Sequence, residues 1–256
     1  MPYVPTPHIL VETDGPVTIL TLNNPDMRNA FLDDMHEGMQ EIWQHLSVDR
    51  SVRAVVLTGA GKAFSAGGNI PDFIRSYEDP EHRRESLRGA RRLMDAMAEF
   101  PKPVVAAVNG PAVGLGCNVA LGCDLVVMAE SAYLADTHVN IGLVCGDGGA
   151  ATWPLFIGLL KAKEFLLLGD RIPAAKALEF GLANRVVPDA QLMTEAMGLA
   201  QRLAAQPVQA IQETKRAINI HLQHAIQMVA PFALAAEGES FGTDDIRQTI
   251  EKFKKG

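Results

Sequence analysis

VAAVNGPAVGLGCNVALGCDLVV (residues 105–127) reads as a buried strand, a glycine turn, a helix start and a second buried strand. The apolar runs at 104–108 and 124–128 are short, valine-rich and bounded by turn residues, which suits strands covered on both faces. Upstream, VVLTGAGKAFSAGGN (residues 55–69) repeats the logic, a strand running into glycines. Glycine loops at helix starts expose backbone N–H groups, and two such loops together can hold a developing oxyanion. The pair predicts an enzyme acting on a carbonyl, with the Ala66 and Leu115 N–H groups as candidate donors. Each turn taken alone equally suits an ordinary βα connection. A dinucleotide-binding fold competes, but G-x-G-x-x-G is incomplete and no acidic residue follows a second strand at the usual distance.

Working outward, residues 8–22 alternate, with VTILTL at 17–22 the clearest strand and Asn23-Asn24-Pro25-Asp26 a turn after it. Phe31, Met35, Met39, Ile42, Trp43 and Leu46 stand at helical spacing over 31–47. Arg53 to Thr58 is a buried strand, and a charged helix is expected at about 79–99, before Pro101 and Pro103. Alternating strands and helices imply parallel strands with right-handed crossovers. After Val187-Pro188 the pattern turns to helices alone, at about 189–205, 207–229 and 232–252. The chain therefore divides into an α/β core, 1–188, and a helical region, 189–256, free to fold back on the core or to meet a neighbouring subunit.

The 256 residues are 48% hydrophobic, ample for a large core, and carry a formal net charge of −7. No basic cluster offsets that balance, so nucleic acid is not the expected partner. Three cysteines, Cys117, Cys123 and Cys145, form no disulfide-like framework and suit a reducing compartment. The opening MPYVPTPHIL lacks the parts of a signal peptide. The apolar stretch 104–129 is broken by Asn109, Asn118 and Asp124, so it reads as strands rather than a membrane span. A cytoplasmic protein without membrane insertion is expected.

Arg28-Asn29-Ala30 after an Asn-Pro turn, GKAFSAGGN, AAVNGPAVGLGC, Gly169-Asp170-Arg171 and ALEFGLANRVV from Ala177 together resemble the crotonase, or enoyl-CoA hydratase/isomerase, superfamily. The resemblance runs from about residue 8 to the end. It implies an α/β spiral of ββα units with a C-terminal helical region in subunit contacts, and homotrimers often paired into hexamers. It also implies an acyl-CoA thioester substrate, coenzyme A entering as part of that substrate and not as a prosthetic group, with no metal. By position, the oxyanion donors are the Ala66 and Leu115 N–H groups; Arg28 and Lys62 match basic positions near the coenzyme A, and Asn69 stands where an aspartate is common.

Members that hydrate enoyl-CoA use two glutamates; at those positions this chain has Asn118 and His138, and neither is a carboxylate. What stands instead is His138 with Asp147, in DTHVNIGLVCGDGG (136–149). A histidine with a nearby acid can serve as a general base. This segment is similar to the 6-oxocamphor hydrolase branch, which adds water to a β-diketone and cleaves a C–C bond; Glu237 matches a glutamate that supports the histidine there. The expectation is hydrolytic C–C cleavage of a β-keto or diketone thioester, with His138 activating water and Asp147 relaying a proton. The alternatives are an enoyl-CoA hydratase/isomerase of fatty-acid-type substrates and a non-catalytic acyl-CoA-binding relative. His36, His45, His82, His221 and His224 are expected on solvated helix faces, and Cys145 as a small buried thiol.

Overall fold

A computed structural model describes residues 6–255; residues 1–5, on which half of the signal-peptide reading rests, lie outside it. The chain runs β1 (Ile9–Asp14), β2 (Val17–Leu22), α1 (Asp33–Val48), β3 (Ala54–Gly59), α2 (Ile70–Glu78), α3 (Pro80–Glu99), β4 (Val104–Val108), β5 (Ala112–Val113), α4 (Leu115–Leu121), β6 (Leu125–Ala129), β7 (Tyr133–Ala135), α5 (Gly149–Leu168), β8 (Ile172–Pro173), α6 (Ala174–Phe180), β9 (Arg185–Val187), α7 (Leu192–Ala204), α8 (Val208–Ser240) and α9 (Asp244–Lys255). The main sheet has the order β1-β2-β3-β4-β6-β9, and β5-β7-β8 form a small second sheet. From β2 onward the main sheet is parallel, with Val55 beside Val104 and Val105 beside Leu125. All six residues of β3 and all five of β4 are buried, as their unbroken apolar runs require.

This is the mixed α/β spiral expected, and it turns both glycine loops to one end of the parallel strands. The alternating run 8–22 is two strands: β1 and β2 pair antiparallel around Gly15, whose φ of +57° suits glycine. Residues 70–99 hold two helices, because Asn69 and Asp79 each cap a new start with a side-chain oxygen. The 20-residue α5, absent from the sequence reading, is bent at Gly158, where φ is +73°. The expected break before residue 232 is absent. Pro231 forfeits one N–H, but α8 runs through it while Ala225, Ile226, Ala230 and Ala233 stay buried. Helix α7 lies on β2, β3, β4 and β6, and α8 crosses α3 and α5. Buried Lys215 fastens α8 to the start of β6 through Asp124 at 2.7 Å. Among the described residues, no helix is long and apolar enough to cross a membrane.

Candidate active site

Three short segments are tied together at the mouth of the parallel strands. Asn29 is wholly buried at φ +57°, beside Arg28 at +53°. Its side-chain amide donates to the carbonyls of Ala60 (2.9 Å) and Ala63 (2.8 Å), and Ser65 Oγ donates to Asn29 O at 2.7 Å. The second glycine turn joins through the Val113 N–H, which donates to Ser65 O at 2.9 Å. Gly67, at φ +85°, lies so near this turn that a Cβ would sit 2.5 Å from Val113 O and 3.3 Å from Leu115 N. Only glycine permits that approach.

The donor assignment in the first loop needs correction. Ala66 lines the cavity, but its N–H donates to Arg28 O at 2.9 Å and is not available to a ligand. Two residues on, exposed Gly68 also lines the cavity, and among the described residues its N–H has no acceptor. Leu115, the first residue of α4, likewise has an N–H without an acceptor among the described residues, as helix-opening residues do. The free pair is therefore Gly68 with Leu115. Sequence position alone did not show which N–H the Arg28 carbonyl would occupy.

Behind these donors lies a buried polar network. His138 Nδ1 meets Asp136 Oδ1 at 2.6 Å, and Nε2 meets Asp147 Oδ2 at 3.2 Å. Asn118 Nδ2 donates to Asp147 Oδ1 at 2.8 Å, and Trp153 Nε1 donates to Asn118 Oδ1 at 3.3 Å. Burial pushes the His138 pKa down, but the carboxylates of Asp147 and Asp136 overrule it and hold the pKa well above the ordinary histidine value. The two carboxylates thus favour the imidazolium form of His138, which has no lone pair for a proton from water. That argues against it as the general base of the expected hydrolysis. Asp136, unassigned from sequence, is its closest partner; the Asp-x-His spacing was the available signal.

The cavity itself is about 260 Å³, just below the ~300–1,000 Å³ of sites that take a whole drug-sized ligand. Phe31, Phe73, Leu87, Leu143 and Phe241 supply apolar wall, and His138, Asp147 and Glu237 supply polar wall. Asn118 does not line it; it faces a smaller cavity of about 30 Å³ behind Leu115 and Asp147. Glu237 reaches the cavity from α8, but both His138 nitrogens are taken by aspartates, so the expected contact between Glu237 and His138 is not made. Burial raises the Glu237 pKa to about 8, against the opposing charge of His138. Asn69 lines the cavity with its side chain committed elsewhere: Oδ1 accepts the Asp72 N–H at 2.8 Å and Nδ2 donates to Phe31 O. Arg28 and Lys62 are exposed and outside the cavity wall.

The sequence profile of the enoyl-CoA hydratase/isomerase family matches residues 12–255. The chain belongs to that family. It is 40% identical over 241 residues to a putative enoyl-CoA hydratase of Thermus thermophilus, covering 93% of this chain and 94% of that one. It is 36% identical to the 1,2-epoxyphenylacetyl-CoA isomerase of Escherichia coli, over 82% of this chain and 81% of the relative. Among solved structures, an enoyl-CoA hydratase/isomerase from Mycobacterium paratuberculosis superimposes with a TM-score of 0.94 at 47% identity, covering 98% of this chain and 100% of that chain. These relatives are named for hydration and isomerisation, and the C–C hydrolytic reading gains nothing from them.

As a member of the enoyl-CoA hydratase/isomerase family, the chain is an enzyme, and its remaining titratable groups can be sorted against that chemistry. The donor atoms of Asp136, His138 and Asp147 lie within 4.8 Å of one another, as do those of Asp33, Asp72 and His82. In the first set Nδ1 of His138 is held by Asp136 at 2.6 Å, and Nε2 stands 3.2 Å from Asp147 Oδ2. Burial raises the Cys145 thiol to about 12, so it is no nucleophile. His221 and His224 are exposed, as expected, whereas His36 is not on a solvated face: it lines the cavity.

Proposed function

We propose that this enzyme isomerises enoyl-CoA thioesters, moving one proton between carbons of the acyl chain. The observation that carries the reading is Asp147: a carboxylate fixed by His138 and Asn118, at the wall of a cavity that also presents the free N–H groups of Gly68 and Leu115. In the reaction, Asp147 removes a proton from carbon 2 of a 3-enoyl thioester. The electrons move through the double bond, and negative charge collects on the thioester oxygen between the two N–H groups. Asp147 returns the proton to carbon 4, giving the conjugated 2-enoyl thioester. Donors aimed at developing charge are worth about 3 kcal/mol each. One carboxylate suffices for this shuttle, whereas water addition in this family draws on two glutamates whose positions here hold Asn118 and His138.

Arg28 and Lys62 are the exposed cations beside the loop and suit the phosphates of a coenzyme A that ends outside the 260 Å³ cavity. Assembly into a trimer or hexamer is supported by the apolar outer face of α5, where Leu159, Leu160 and Leu167 are 65%, 85% and 67% exposed. The test of the reaction uses trans-3-hexenoyl-CoA and crotonyl-CoA. Growth of conjugated-thioester absorbance from the first, with the second unchanged, supports isomerisation. Rapid loss of crotonyl-CoA absorbance would make the enzyme a hydratase.

A further inference from the structure

Two buried side-chain atoms in the cavity walls lack a hydrogen-bond partner among the described residues, Glu237 Oε2 and His36 Nδ1. Glu237 stands beside the reacting aspartate, since a Cβ on neighbouring Gly146 would meet its Oε2 at 2.5 Å. His36 is on a different wall. It sits on α1 against Phe31, ring centroids 5.3 Å apart, and neither of its ring nitrogens makes a hydrogen bond with a described residue. Burial lowers its pKa, against the opposing charges of Asp72, Asp33 and Asp147, so the ring is neutral at pH 7. A neutral imidazole always has one N–H and one bare nitrogen. Nδ1 is closed to solvent, and an orphaned acceptor is tolerated better than an orphaned N–H. That assigns the hydrogen to Nε2, the nitrogen left open to the cavity.

A plain hydrocarbon chain would give this N–H nothing to bind. It would meet a polar ring where leucine or phenylalanine would serve better. We propose that His36 determines specificity by donating a hydrogen bond to a neutral oxygen, a ketone or hydroxyl, on the acyl group and remote from the thioester. A carboxylate would fit poorly, because His36 is uncharged and Asp72 and Asp147 line the same cavity. This rests on the acyl-CoA reading of the site but not on the reaction assigned to it. A site that binds a substrate oxygen in this way discriminates strongly against the analogue lacking it.

The test is calorimetric binding of four probes: hexanoyl-CoA, 4-oxohexanoyl-CoA, 5-oxohexanoyl-CoA and 6-hydroxyhexanoyl-CoA. At least one oxygenated probe should bind the unmodified enzyme tenfold or more tightly than hexanoyl-CoA. His36→Leu should reduce that advantage to within twofold, and His36→Gln, which keeps a donor, should restore part of it. Because it removes an unpaired ring nitrogen, His36→Leu should melt no lower than the unmodified enzyme. Equal binding of all four probes, or an advantage that survives His36→Leu, overturns the proposal. So does a loss common to all four, which would mean that His36 reads the shared pantetheine amides. Failure of every probe to bind overturns the acyl-CoA reading as well, whereas a selective binding profile from an enzyme that leaves trans-3-hexenoyl-CoA unchanged overturns only the isomerase assignment.

Discussion

The polar groups at the cavity are of two kinds, a first wall of paired side chains and a second of unpaired ones. In the first, His138 and Asp147 line the cavity and are tied by side-chain hydrogen bonds or ion pairs to Asp136, Asn118 and Trp153 behind them. In the second, His36 and Glu237, on different sides of the cavity, each keep a buried atom without a partner among the described residues. Networks whose members are satisfied hold a geometry, while a buried group left unpaired costs stability and calls for a reason. The first wall therefore sets where the proposed base, Asp147, stands, and the second supplies groups not already spent on the fold. Removing a member of the first wall should cost catalysis or folding; neutralising Glu237 in the second should cost no stability and can add it.

The largest expected effect tests the first wall at its reacting end. Asp147→Asn keeps the volume and part of the hydrogen bonding but removes the proposed base. Turnover of trans-3-hexenoyl-CoA should fall about 10³- to 10⁴-fold, in the range of general acid–base catalysis, with binding of the thioester kept. A loss below tenfold would move the base elsewhere, and Glu237 would be the next candidate. His138→Gln probes the charge at the centre of the same wall. It leaves two buried carboxylates without their cation, a change that costs about 3–5 kcal/mol in comparable buried pairs, measured by denaturant unfolding. The pH dependence has a fixed sign. The folded His138 pKa lies above its unfolded value near 6.5, so its stabilisation is complete below that value and is lost as pH rises through the folded one. Stability should therefore fall on the alkaline side, and His138→Gln should lack that fall. An unchanged alkaline slope in the variant would place the charge elsewhere.

Glu237→Gln makes the opposite case on the second wall. Its folded pKa, raised to about 8 from 4.5, means that the folded state loses stability as pH rises from about 4.5 to 8 and stays lower above that. Glutamine removes the buried charge, so at pH 9 the variant should be more stable than the unmodified enzyme by on the order of 5 kcal/mol, with little difference at pH 4.5. A destabilised variant at pH 9 would show that Glu237 belongs to the satisfied network after all.

These contrasts also separate what the sequence made legible from what it did not. Strand runs such as VVLTG and VVAAV announce themselves because burial on both faces leaves no polar alternation to misread. The glycines of the two turns were legible for the same reason: close backbone approach admits nothing larger. Helix ends were harder. Pro231 reads as a breaker, but the buried face of α8 outweighs one missing hydrogen bond. The site was legible as a set, in that His138, Asp147 and Leu115 share a cavity, and illegible in its pairings. That Arg28 O would claim the Ala66 N–H depends on two consecutive residues at positive φ, and that Asp136 would share His138 depends on a turn only three dimensions reveal. His36 was misjudged because its sequence neighbours are polar, while its spatial neighbour is Phe31.

Asn69 gives the smallest expected effect and the sharpest contrast between resemblance and structure. Its position suggests a part in coenzyme A binding, yet its side chain faces the protein: Oδ1 caps α2 by accepting from Asp72 N–H, and Nδ2 donates to Phe31 O. Asn69→Asp retains the cap, because a carboxylate oxygen accepts the same N–H and suits a helix N-terminus. It loses the donor to Phe31 O and turns an acceptor against that carbonyl, so the two effects oppose. The net cost should be about 1 kcal/mol, the worth of one ordinary hydrogen bond, seen as a small drop in the denaturation midpoint. Asn69→Ala forfeits both contacts and should cost about 2 kcal/mol. Thioester affinity should stay within twofold for Asn69→Asp, because both polar atoms of the Asn69 side chain already hold the protein's own backbone. A tenfold loss of affinity with an unchanged midpoint would reverse this assignment and make Asn69 a ligand contact.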